Sequence, residues 1–208
     1  QGGNVNGRPA ISVDPQFALS YTAKVKDYVQ NGDDYPAVYV SWDDAVEFVK
    51  QLNKIERENG SLPPNWEYRL PTEAQWEYAC RANSTTRFCF GDDESQLGEY
   101  AWHDKYAWDI DEKYPHRVAQ KKPNRWGFYD LHGNVFEWTA DVYAAYPSDT
   151  RDGASIVGDS LHVFRGGSFA NTAAFCRSAN RFSKHPSGTG PRNASLGFRV
   201  ACVPISRE

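Results

Sequence analysis

Gly133-Asn134-Val135-Phe136-Glu137-Trp138 and Phe164-Arg165-Gly166-Gly167-Ser168-Phe169 are the two stretches on which the fold turns. In the first, Gly133 permits a sharp turn into a β-like run at 135–139. In the second, a β-like run at 162–165 ends at two glycines, which permit tight strand packing. Two further segments frame them. Upstream is Arg69-Leu70-Pro71-Thr72-Glu73-Ala74-Gln75-Trp76-Glu77-Tyr78-Ala79, and downstream is Leu196-Gly197-Phe198-Arg199-Val200.

Working outward, Tyr35 to Val40 is β-prone, with Val38 and Val40 on one face. Ser41 has the character of an N-cap, followed by Asp43 and Asp44 where the helix dipole favours acid. Ala45, Phe48, Val49 and Leu52 then recur at helical spacing, which predicts a helix from Trp42 to about Glu58, ending before Gly60 and the Pro63-Pro64 break. Thr72 caps a second helix, Glu73 to about Arg81, with Gln75 placed to close a capping box. Between 83 and 123 no long periodic segment occurs. Trp102, Tyr106, Trp108 and Tyr114 nevertheless predict ordered irregular chain, because disordered segments lack such aromatics. Two more β-like runs lie at 176–182 and 197–203. The last puts Phe198, Val200 and Cys202 on one face. The pattern is α+β: two helices on small antiparallel sheets with long irregular loops. Residues 1–34 read as an extended arm of the same domain, and 35–208 as its body.

Composition narrows the function. The chain has 208 residues, 40% of them apolar and 14% aromatic, which suits one large domain with a real core. Seven Trp and twelve Tyr suit either a loop-rich core or a binding surface. The net charge of −4 and the lack of a basic block argue against nucleic acid as partner. No apolar run reaches membrane-spanning length. The chain starts at Gln1 with no signal-peptide pattern, which leaves localisation open.

The side chains that carry chemistry are sparse. The four cysteines, Cys80, Cys89, Cys176 and Cys202, form no CxxC pair and have the wrong spacing for zinc. They are either reduced buried thiols or one or two disulfides in an oxidising compartment, and the paired case would make the protein extracytoplasmic. Five scattered histidines include no helical pair and no HExxH, so neither catalytic zinc nor a three-His iron site is expected. Ser168 does not sit in a GxSxG elbow. Arg165, Arg177, Arg181 and Arg199 lie in or beside expected strands. Buried arginine needs a partner, and Glu73, Glu77 and Glu137 are the candidates. Asp130 and Glu137 flank the Gly133 turn and could offer oxygens to a hard cation; alternatively, Glu137 pairs with a buried arginine.

The four motifs, in this order and across roughly Tyr35 to Ala201, resemble the formylglycine-generating enzyme (sulfatase-modifying factor) family. The resemblance implies a C-type-lectin-like fold. It also implies a structural calcium held by side-chain oxygens of Asp130 and Glu137 and the carbonyls of Gly133 and Val135. Family members often link the strand near Arg177 to the helix carrying Cys80, which suggests a Cys80–Cys176 disulfide, although the family cysteine falls nearer Ser178. The family's oxidases place two copper(I)-binding cysteines after Gly-Gly-Ser. Here the first falls on Asn171, and the segment before Arg177 is about three residues shorter. Asparagine is not a copper(I) ligand, so copper is not expected. The segment also resembles the variable region of retroelement-diversified proteins, through Cys176-Arg177-Ser178-Ala179-Asn180-Arg181. The expected function is a ligand- or protein-binding accessory module, with Phe169, Asn171, Phe175, Asn180, Phe182 and His185 as its contact surface. The rival is a formylglycine-generating oxidase or related metal-dependent modifying enzyme.

Overall fold

The computed structural model describes residues 32–144, 161–184 and 193–205. The expected N-terminal arm lies almost wholly outside them. Both long helices form where their local signals put them. Helix α1 spans Trp42–Glu58, with the Ser41 hydroxyl accepting from the Asp44 N–H and the Asp44 carboxylate accepting from the Ser41 N–H. Helix α2 spans Glu73–Arg81 behind the same reciprocal arrangement between Thr72 and Gln75, and stops at Ala82, whose φ is +46°. A four-residue helix α3, Leu97–Tyr100, and several 3₁₀ turns are the only helical structure between the described residues 83 and 123.

Among the described residues are six short strands: β1 (Trp66–Arg69), β2 (Phe136–Val142), β3 (His162–Arg165), β4 (Phe182–Lys184), β5 (Leu196–Phe198) and β6 (Ala201–Pro204). They make two sheets. One is the antiparallel pair β1–β6; the other runs β4-β3-β2-β5. The second sheet is mixed rather than wholly antiparallel, because β2 pairs with β5 in parallel. The expected strand at 197–203 is therefore two strands in two sheets. Phe198 is buried in the first and Cys202 is exposed in the second.

The core lies where α1 covers the larger sheet. Ala45 and Val49 pack with Leu70, Phe136, Trp138, Leu196 and Phe198. Two expected strands do not form. Within 35–40 the chain joins neither sheet: the Tyr39 N–H donates to Asn193 O (3.2 Å), and Tyr39 takes φ +60°, a left-handed conformation that strands exclude. Within 176–182 the chain instead makes a 3₁₀ turn, Ala173–Cys176, and enters β4 only at Phe182. No helix among the described residues is long and apolar enough to cross a membrane.

Candidate functional site

The Gly-Asn-Val turn before β2 organises the loops. Gly133 approaches the Trp102 carbonyl so closely that a Cβ there would overlap it. Asn134, at φ +65° and fully buried, then bonds three segments together. Its N–H donates to Trp102 O (2.8 Å), and its carbonyl accepts from the Phe169 N–H (2.8 Å). Its side chain accepts from the His116 N–H (2.8 Å) and donates to His116 O (3.0 Å). The next residue but two, Glu137, is 1% exposed and receives the Trp76 indole N–H (2.7 Å) together with a two-pronged Arg199 guanidinium (2.7 Å to each oxygen). The arginines form the structural network expected of them. Arg165, fully buried, bonds Glu73, Glu77 and the carbonyls of Ser178 and Ala179, and Arg181 takes Glu73 as well. Arg177 is the exception, donating to Ala174 O.

The Ser168–Asn171 turn carries the position on which the resemblance put the first copper cysteine. The Ser168 hydroxyl bonds the Asn171 side-chain oxygen, and the Asn171 carbonyl accepts from the Asp104 N–H (3.1 Å). Asn171 is thus occupied in closing a turn. The expected contact surface divides accordingly. Phe169 is 3% exposed and packs with Ala107 and Ala194, so it belongs to the interior. Asn180 spends its amide on Phe175 O (3.0 Å). Phe182 is half-buried against Phe136 and Phe164. Phe175 is 41% exposed and stacks on Phe182 (5.6 Å), which supports it from behind. His185 lies outside the described residues. Two aromatics that pattern did not single out as contacts border the same region: Trp108, 41% exposed and stacked over Phe169 at 6.4 Å, and half-buried Tyr39. The signal for Trp108 was only its presence in an aperiodic stretch.

Asp130 is 3% exposed. One oxygen accepts from the Ala119 N–H (2.8 Å) and the other has no hydrogen-bond partner. Burial pushes its carboxyl up, with the Ala119 N–H and Arg199 working against that. A buried carboxylate oxygen without a donor fits a cation. Glu137 could reach one only by sharing its oxygens with Arg199 and Trp76.

All four cysteines are free, so the expected Cys80–Cys176 bond is not formed. Cys80 instead lies 3.6 Å from the Ser178 hydroxyl, the residue nearest the family's cysteine. Cys176 sits under Gly167, where an added Cβ would meet its sulfur at 2.6 Å. Burial pushes the Cys80 thiol up to about 12 and raises Cys176 as well, so both are held as inert thiols. His132, between them, has both ring nitrogens engaged. Nδ1 lies 2.8 Å from Cys176 O, and Nε2 accepts from the Cys89 N–H at 3.0 Å. Among the described residues no group of three or more His, Cys, Asp or Glu could hold a metal ion.

Comparison with known proteins places this geometry. The family described as "Sulfatase-modifying factor enzyme 1-like domain" matches residues 15–203. Over 183 residues the chain is 30% identical to the formylglycine-generating enzyme of Streptomyces coelicolor, covering 80% of this chain and 52% of that protein. It is 33% identical over 178 residues to the Bos taurus protein named inactive C-alpha-formylglycine-generating enzyme 2, covering 81% of this chain and 50% of that one. Treponema denticola variable protein 1 superposes with a TM-score of 0.68 at 26% identity, over 98% of this chain and 78% of that one. The chain spans about half the length of the curated relatives it matches.

Proposed function

Because the chain belongs to the sulfatase-modifying factor enzyme 1-like family, we propose that it serves as a ligand- or protein-binding accessory module of that family and not as a copper oxidase. One observation carries the reading. Where the oxidases present a first thiolate, this chain has Asn171, and its side chain is bonded to Ser168. The nearby thiol of Cys176 is fully buried. A copper(I) centre needs soft, accessible thiolates, and neither residue supplies one. The relative named inactive and the variable protein lend support, since neither name describes an oxidase.

Incubation with copper(I), oxygen and a cysteine-containing sulfatase-type peptide should therefore give no peptide aldehyde. Copper-dependent aldehyde would restore the oxidase reading. The contact surface centres on Phe175. Peptides selected from a displayed library by the full chain should lose about 1–2 kcal/mol of affinity against Phe175→Ala, as for an exposed aromatic anchor, with melting almost unchanged. Selection that enriches no sequence, or ligands indifferent to Phe175, would count against that surface.

A calcium ion at the 130–137 turn belongs to the same reading, and Asp130 is its main support. Calcium at 100 times its dissociation constant would stabilise the fold by about 2.7 kcal/mol, so chelation should lower the melting temperature by about 5–11 °C. Asp130→Ala should melt identically with and without chelator. If the unmodified protein also melts identically, no structural calcium is bound.

A further inference from the structure

The loop from Ala101 to Val118 carries two buried histidines that nothing in the binding reading uses. His103 is 2% exposed and His116 6%. Each has one ring nitrogen beside a carboxylate: His103 Nδ1 at 2.8 Å from Asp104, and His116 Nε2 at 2.7 Å from Glu112. The other nitrogen of each, His103 Nε2 and His116 Nδ1, is buried without a hydrogen-bond partner. The His116 ring is clamped between Trp102 (3.8 Å, 8° between planes) and Tyr114 (5.0 Å). His103 meets Tyr106 edge-on at 5.2 Å.

We propose that the 101–118 loop is an acid-sensitive latch, in which protonation of His103 and His116 loosens the loop and releases the Asn171 turn it holds. A neutral imidazole can leave one nitrogen unbonded at modest cost. An imidazolium makes that nitrogen a charged donor, and here it would be buried with nothing to receive it. The surrounding charges do not all point one way. Asp104 and Glu94 favour the His103 cation and Lys105 opposes it; Glu112 favours the His116 cation and Lys121 opposes it. Lys121 is close, its ammonium lying 3.9 Å from the Trp102 ring on which His116 stacks. Burial is the largest influence at both sites and holds both histidines below their ordinary range.

The sign follows from that depression. The folded loop binds fewer protons than the unfolded one, so its stability is present above the unfolded histidine value of about 6.5 and is lost as pH falls through the folded values. The loop reaches the binding face through the Asp104 N–H on Asn171 O and through Asn134, which bonds both His116 and the Phe169 N–H. His162, on β3 and stacked on Trp42, is also depressed by burial, but it lies on a strand and not on this loop.

Amide hydrogen exchange on the full chain tests the latch without any ligand, so its outcome is independent of the binding reading. Between about pH 7.5 and about pH 5.5, after correction for intrinsic exchange, protection in 101–118 should fall about tenfold while β2 changes little. The double variant His103→Gln/His116→Gln should remove the pH dependence. Should that variant fold poorly, Trp102 provides a second readout. An imidazolium stacked on indole quenches its emission, and a Trp102→Phe variant isolates that share. The Trp102 emission should fall with a midpoint below about pH 6.5. Equal loop protection at both pH values, a loss shared by β2, or a flat Trp102 signal would overturn the proposal.

Discussion

Glu137→Ala should destabilise the protein by about 3–5 kcal/mol and lower its melting temperature by about 6–20 °C, because removing one member of a buried ion pair strands the other. Glu137 is 1% exposed and accepts three hydrogen bonds, two from Arg199 and one from Trp76. Without it, the guanidinium keeps only the Tyr129 carbonyl at 3.0 Å, and the Trp76 N–H has no acceptor. The pair also ties β2 to the chain just after β5, 62 residues away, so the loss falls on the larger sheet. The double replacement Glu137→Leu/Arg199→Met should recover much of the loss, since an apolar pair of similar volume costs no desolvation. Chemical denaturation of the two variants checks this. A Glu137→Ala protein within about 1 kcal/mol of the parent would mean that Arg199 and Trp76 find water or other acceptors at little cost.

Ser178→Cys should produce the opposite effect. Under oxidising conditions the new thiol should bond Cys80 and raise stability by about 4–5 kcal/mol in the chain-entropy treatment, equivalent to about 8–20 °C in melting temperature. The Ser178 hydroxyl is already 3.6 Å from the Cys80 sulfur, across 98 residues of chain, and both residues are fully buried. The substitution adds one thiol to the four that are free, and the cross-link removes two. Thiol counting in denaturant, with and without prior reduction, reads the bond directly. If every thiol stays reactive after oxidation, the two Cβ vectors diverge and the geometry does not support a disulfide. The expectation of a Cys80–Cys176 bond failed for a related reason. Cys176 ends the 3₁₀ turn Ala173–Cys176 and lies under Gly167, and two residues later Ser178 faces Cys80.

What the sequence could determine by itself is what its neighbouring residues settle among themselves. The capping boxes of Ser41 with Asp44 and Thr72 with Gln75 each close within one turn, so the starts of α1 and α2 were legible to the residue. The four ordered motifs carried the family, and the absence of a cysteine at 171 carried the expectation that copper is not bound there, because a ligand's softness is a property of its side chain. The pairing of Arg165 and Arg199 with glutamates was legible as a requirement, since buried guanidinium cannot stand alone. Which glutamate each would take was not, because those partners lie 62 to 92 residues apart. Only the tertiary structure could divide the 197–203 run between two sheets, or separate Phe169 from Phe175. These two phenylalanines stand six positions apart in similar surroundings. Phe169 is turned inward because its N–H is bonded to Asn134, whose left-handed backbone is itself held by Trp102 and His116. The Phe175 N–H bonds only within its own turn, to Thr172 O (2.9 Å), and its ring lies on the outside of that turn. Burial of an aromatic ring depends on what distant chain arrives to cover it, and that is fixed by packing and not by the residues beside it.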